Sequence, residues 1–230
     1  MKSISLLILL ASFSLFSCAI SKKDISSEKD SYKYLALGDS YTIGESVCRN
    51  CNYPKQLTDS LNGVLKEKTS VKLIAKTGWT TTDLLSAIAA ENPSKDHDLV
   101  TLLIGVNNQY QGKPFSLYEE EFPKLLDMAI DFAKGKKENV IVLSIPDYAF
   151  TYFGQKSGKS EKITSELKKY NAFAEKIAEE KGVLFKNITP ITKQGLGNPT
   201  LVASDGLHPS KVTYKKFVEI MMDEVLKILH

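Results

Sequence analysis

The 230-residue chain has only three histidines, three cysteines and one tryptophan. A structural zinc site takes four Cys or His ligands in closely spaced pairs. Cys48 and Cys51 form one such pair in "ESVCRNCNYP", and no second Cys/His pair exists to complete a site. An excess of one charge sign is also lacking. Thirty Lys and Arg against 27 Asp and Glu leave a net charge of +3, too weak a field to select nucleic acid. Beyond the N-terminal segment, no apolar run reaches the roughly 18 residues that a membrane span needs. The whole chain is 43% hydrophobic and 25% charged, which is the composition of a globular chain able to bury one core.

The N-terminal segment "MKSISLLILLASFSLFSC" (1–18) has a basic Lys2, an apolar stretch from Ile4 to Phe16, then Ser17 and Cys18. This is a secretory signal pattern, too short and serine-rich for a membrane helix. Its end, Leu15-Phe16-Ser17-Cys18, resembles the lipobox of bacterial lipoproteins. That resemblance implies a lipidated Cys18 as the mature N-terminus. "AISKKDISSEKDS" (19–31) follows, with ten of its 13 residues Ser or charged. It reads as a flexible tether. The expectation is an exported lipoprotein of the bacterial cell envelope, anchored to the membrane and facing the periplasm or the exterior. Export also implies an oxidising compartment, in which Cys48 and Cys51 are expected to form a small structural disulfide, with free thiols as the alternative. A thioredoxin-like role is weak, because the pair does not open a helix directly after a strand.

From Tyr32 to the C-terminus the pattern alternates. Strands are expected at "YKYLAL", "VKLIAK", "DLVTLLIG", "NVIVLSIP" and "VLFKNI". Helices are expected at "YPKQLTDSLNGVLKE", "TTTDLLSAIAA", "SLYEEEFPKLLDMAIDFAKG", "SEKITSELKKYNAFAEKIAEEKG" and "PSKVTYKKFVEIMMDEVLKIL". Ile163, Leu167, Tyr170, Phe173 and Ile177 recur at helical spacing, with Gly182 as the stop. Pro209 is placed near the first position of the last helix. Strands alternating with helices argue for one domain (32–230): a three-layer α/β/α sandwich around a five-stranded, mainly parallel sheet. Such sheets bind ligands at the carboxyl ends of their strands.

Polar clusters fall at those ends. Gly38-Asp39-Ser40 follows the first strand, "KTGWTTTD" with Gly78 the second, and "GVNNQYQG" with Asn107 the third. "SDGLHPS" follows the fifth across a loop. Each cluster alone also reads as a turn or helix cap; their conjunction points to a site. His97 lies in a charged loop on the opposite edge and His230 is terminal, so His208 is the histidine placed to act as a base. Asp205, three residues earlier, can meet its Nδ1 and leave Nε2 for a hydroxyl. Serine is a weak nucleophile without such a base, and a carboxylate fixes the tautomer. Ser40 N–H, Gly78 N–H and the Asn107 amide are candidate donors to an oxyanion, worth roughly 3 to 4 kcal/mol each when well placed.

These blocks resemble the SGNH hydrolases, also called GDSL esterases or lipases. That family has its serine in a Gly-Asp-Ser block, then a glycine, a Gly-x-Asn block and a final Asp-x-x-His block. The resemblance implies a flavodoxin-like sandwich, Ser40, Asp205 and His208 as catalytic residues, and an oxyanion hole from Ser40, Gly78 and Asn107. It also implies no metal and no organic cofactor. Tyr41 stands where the family usually carries Leu, a position for packing. The expected substrate is a carboxylic ester: a lysophospholipid, a small acyl ester or an acetylated glycan. Trp79, Tyr110, Tyr148, Phe150, Tyr152 and Phe153 either line an acyl pocket or sugar site, or pack their own loops. A monomer is expected. The competing reading is a catalytically silent envelope lipoprotein that binds lipid or glycan.

Overall fold

The structure is a computed structural model describing residues 31–230. The signal segment, Cys18 and the tether up to residue 30 lie outside the described residues; Ser31 already opens the first strand.

The chain runs β1 (Ser31–Gly38), α1 (Ser40–Ile43), α2 (Tyr53–Val64), β2 (Lys68–Ala75), α3 (Thr81–Glu91), β3 (Leu99–Leu103), α4 (Val106–Tyr110) and α5 (Phe115–Phe132). It continues with β4 (Val140–Leu143), α6 (Tyr152–Lys156), α7 (Ser160–Lys181), β5 (Leu184–Lys186), α8 (Thr189–Thr192) and α9 (Lys211–Leu229). The five strands pair in the order β2-β1-β3-β4-β5, every pair parallel. α2 and α9 cover one face, and α3, α5 and α7 the other. The expected three-layer α/β/α sandwich is the observed fold.

Burial explains the strands. Leu35, Ala36, Leu37, Val100, Leu102 and Ile141 are fully buried, so these central strands lack the in–out alternation of a half-exposed sheet. Each large side chain removed from water contributes about 1.5–3 kcal/mol. The helix ends follow local chemistry. Thr80 and Asp83 form a reciprocal capping box at the start of α3, and Gly182 closes α7 in the left-handed region.

Several expected boundaries move, β2 for example starting at Lys68 rather than Val71 and β4 ending at Leu143 rather than Pro146; two of the shifts have plain local causes. Pro209 is not inside α9: Ser210 caps it through Thr213 N, and Pro209 pairs with Val202 in an isolated bridge. α2 ends at Val64 rather than Glu67, because Leu65 has already turned extended (ψ 150°) to lead into β2.

The topology fixes where a ligand can sit. The chain leaves β1 for β2 on one side, then returns across β1 to β3 on the other. The loops after β1 and β3 therefore diverge, opening a crevice at the carboxyl edge. Gly38 lets the two strands meet there, since a Cβ on it would lie 2.4 Å from Leu103 O and 2.1 Å from Thr42 Oγ1.

Candidate active site

Ser40 is the first residue of α1, immediately beyond β1. Asp39 is its N-cap, with Oδ1 accepting from Tyr41 N at 3.0 Å. This turn places Ser40 at the mouth of the crevice while leaving it only 4% exposed. Its N–H belongs to the first turn of a helix and so has no intrahelical acceptor.

The loop before α9 brings the other partners. Asp205 folds back on its own turn, with Oδ1 accepting from Leu207 N at 2.9 Å and His208 N at 3.0 Å. That turn sets the imidazole. His208 Nδ1 lies 2.6 Å from Asp205 Oδ2 and Nε2 lies 3.0 Å from Ser40 Oγ. A carboxylate at Nδ1 selects the tautomer with the proton there, so Nε2 accepts from the serine hydroxyl. Ala203 N donates to His208 O at 2.7 Å, which pins the loop. Tyr41 is buried and meets the His208 ring edge-on, with centroids 5.7 Å apart, so this position does pack, and packs on the imidazole.

Burial raises the affinity of Asp205 for a proton, but the hydrogen bonds from His208, Ser46 and two backbone N–H groups outweigh it and hold the carboxyl down at about 2. Ser46 donates to Oδ2 at 2.7 Å. No sequence pattern singled it out: it is an exposed loop serine 159 residues from its partner. Its φ of 62° is the one local sign of a constrained role.

Asp39 is the opposite case. It is fully buried, and burial pushes its carboxyl up to about 7 against the Tyr41 N hydrogen bond. Its Oδ2 has no hydrogen-bond partner among the described residues. The sequence presented it as a turn residue, because burial of a whole turn leaves no local signature.

The donors gather on the other wall. Gly78, at φ 83°, has nothing within 4 Å of where a Cβ would be. Its carbonyl is held by Gln111 Nε2 at 2.9 Å. Asn107 donates through Nδ2 to Trp79 O at 3.0 Å, which uses one of its two amide hydrogens. Neighbouring Asn108 ties α4 to α3 through Thr81 N and Oγ1. Ser40, Gly78, Asn107 and His208 all line one cavity of about 290 Å³, with Tyr41, Val106, Tyr110, Tyr148, Phe153 and Leu207 as its apolar walls. Of the aromatic candidates, Tyr110, Tyr148 and Phe153 face this cavity; Trp79 and Phe150 pack against the core and Tyr152 is exposed. Cys48 and Cys51 are joined by a disulfide in the loop that carries Ser46. Cys18 lies outside the described residues.

A parallel sandwich with Ser, His and Asp hydrogen-bonded in line at its switch point belongs to the hydrolase class. The GDSL-like Lipase/Acylhydrolase family model matches residues 36–216, and the chain belongs to that family. It is accordingly a hydrolase of carboxylic esters. Among curated protein sequences none matches. Solved structures do. A lipase/acylhydrolase from Enterococcus faecalis is 18% identical with TM-score 0.66, the match covering 84% of this chain and 95% of that one. An acetyl xylan esterase from Geobacillus stearothermophilus is 20% identical with TM-score 0.62, covering 84% and 94%. A psychrotrophic esterase from Pseudoalteromonas sp., solved inhibited by monoethylphosphonate, is 17% identical with TM-score 0.60, covering 86% and 98%. At these identities the likeness is one of fold.

Proposed function

We propose that the chain is a serine esterase for short acyl esters, working through an acyl-enzyme on Ser40. The observation that carries this reading is the unbroken line from Asp205 Oδ2 through His208 to Ser40 Oγ, at 2.6 and 3.0 Å. Ser40 Oγ adds to the ester carbonyl carbon as His208 Nε2 takes its proton. Ser40 N–H, Gly78 N–H and Asn107 Nδ2 receive the oxyanion. The tetrahedral adduct collapses, His208 returns the proton to the departing alcohol, and the acyl group stays on Ser40. Water, deprotonated by His208, then releases the acid and restores the serine. Asp205 orients the ring and stabilises the imidazolium throughout.

Cavity size supports short acyl groups. A pocket of about 290 Å³ has room for an acetyl or butyryl group beside Ser40. The acetyl xylan esterase among the neighbours is in keeping with this. The test is a panel of p-nitrophenyl esters from acetate to palmitate on wild type and Ser40→Ala. Turnover should be greatest for the short esters and should vanish in the variant. Wild-type turnover no greater than that of Ser40→Ala refutes the reading.

The N-terminal pattern supports export and anchoring through Cys18 on the bacterial envelope. Cys18→Ser should move the protein from the membrane fraction to the soluble one; unchanged membrane association rejects the anchor.

A further inference from the structure

A second cavity, a groove of about 910 Å³, adjoins the catalytic one and shares its Tyr110, Tyr148 and Phe153 walls. Its floor is apolar, with Phe115, Ile163 and Tyr170 buried or half-buried. Its rim is cationic: Lys113, Lys156, Lys159, Lys162 and Lys169, all exposed, stand against one carboxylate, Glu166. Glu166 is already occupied, accepting from Gln109 Nε2 at 2.7 Å and lying 3.7 Å from Lys162.

The other four lysines have no carboxylate partner among the described residues. Lys156 lies 4.8 Å from the centroid of the Tyr152 ring and Lys169 3.7 Å from that of Phe115, so aromatic faces hold these cations. Elsewhere on the surface some lysines are paired, as Lys72 is with Glu91, Lys95 with Asp131 and Lys124 with Glu120, and others such as Lys215 and Lys216 are not, among the described residues; this groove gathers four unpaired lysines around one cavity. In a chain whose net charge is only +3, unpaired lysines concentrated beside the reactive serine mark a local field. The groove also takes in the start of α7, where the helix dipole adds to that field.

We propose that this groove holds the alcohol half of the ester, and that this half carries an anionic group, a carboxylate or a phosphate. The inference rests on the reading that Ser40 accepts the acyl half in the smaller cavity. A neutral alcohol would meet the apolar floor but leave the rim cations without a counter-charge. Each exposed lysine contributes modestly and is screened by salt, so discrimination comes from their sum.

The test uses the full chain and two matched pairs of acetyl esters. One pair is the methyl glycoside of acetylated glucuronic acid against that of acetylated glucose. The other is 1-acetylglycerol 3-phosphate against 1-acetylglycerol. At low ionic strength the anionic member of at least one pair should show kcat/KM about tenfold higher, equivalent to about 1.4 kcal/mol. The preferred pair identifies the anion. The ratio should shrink as salt is added and approach one in the triple variant Lys113→Gln/Lys156→Gln/Lys159→Gln. Equal kcat/KM within both pairs, or a preference that survives the triple variant, overturns the proposal. If no ester is turned over, the esterase reading fails, and the groove is still tested by calorimetric binding to Ser40→Ala. Tighter, salt-sensitive binding of an anionic member supports it; equal affinities overturn it.

Discussion

Replacing Asp39 by Asn should change how stability depends on pH. In the unfolded chain this carboxyl titrates at its ordinary 3.8; burial raises it to about 7 in the fold. Below about pH 4 both states are protonated and burial of the group carries no ionisation cost. Between the two values the unfolded state gives up its proton while the folded state keeps it. Stability therefore falls as pH rises, by about 1.4 kcal/mol per pH unit. Above about pH 7 the loss stops growing, having reached about 4 kcal/mol. Asp39→Asn does not titrate and still offers an Oδ1 acceptor to Tyr41 N. Its amide nitrogen would take the place of Oδ2, which has no partner among the described residues, at a pH-independent cost of about 1–3 kcal/mol. The readout is therefore the slope rather than the offset. Other titrating groups, Asp205 included, are present in both proteins and cancel. Urea unfolding of the two proteins from about pH 4 to about pH 8 should show the wild type losing about 4 kcal/mol relative to the variant. Parallel stability curves would refute the reasoning.

Asn107→Ala should lower kcat for a p-nitrophenyl ester by about a hundredfold to a thousandfold, the effect of deleting one oxyanion donor; an unchanged kcat removes Asn107 from that role. Ser46→Gly keeps a residue able to hold φ 62° while deleting the donor to Asp205. It should cut kcat/KM about fivefold, for the loss of about 1 kcal/mol. With fewer donors holding it down, the Asp205 carboxyl should titrate above its wild-type value of about 2, read by NMR titration of its carboxyl carbon. An unmoved carboxyl titration would make Ser46 a loop residue only. Cys48→Ala/Cys51→Ala should retain esterase turnover but lose about 2 kcal/mol of stability, the loop-closure effect of so short a ring; equal urea midpoints would contradict this.

The fold was legible because its signals are local and repeated. "DLVTLLIG" is apolar on both faces because β3 lies at the centre of a covered sheet, and Thr80, Asp83 and Gly182 end their helices through contacts within a turn. The pairing of "GDS" with "DGLHPS" was legible for a different reason: few histidines compete for the role, and Asp205 and His208 meet within one turn. Ser46 was not legible, since its hydrogen bond to Asp205 exists only after the sheet has brought two distant loops together. The lysine groove was hidden in the same way. Lys113 comes from the loop before α5, Lys156 from α6 and Lys169 from α7, and in sequence they lie far apart. Asp39 shows the limit at a single residue, because its chemistry is set by the layers that bury it.

Ser40 as the covalent nucleophile is the claim on which the rest depends. The direct measurement is intact-mass and peptide mass spectrometry of the full chain after treatment with a reactive ethylphosphonate ester. A single phosphonyl adduct should appear on the peptide containing Ser40, with turnover of p-nitrophenyl acetate lost in proportion, and Ser40→Ala should take up none. Turnover that survives complete labelling of Ser40, or an inactivating adduct on another residue, would contradict the account.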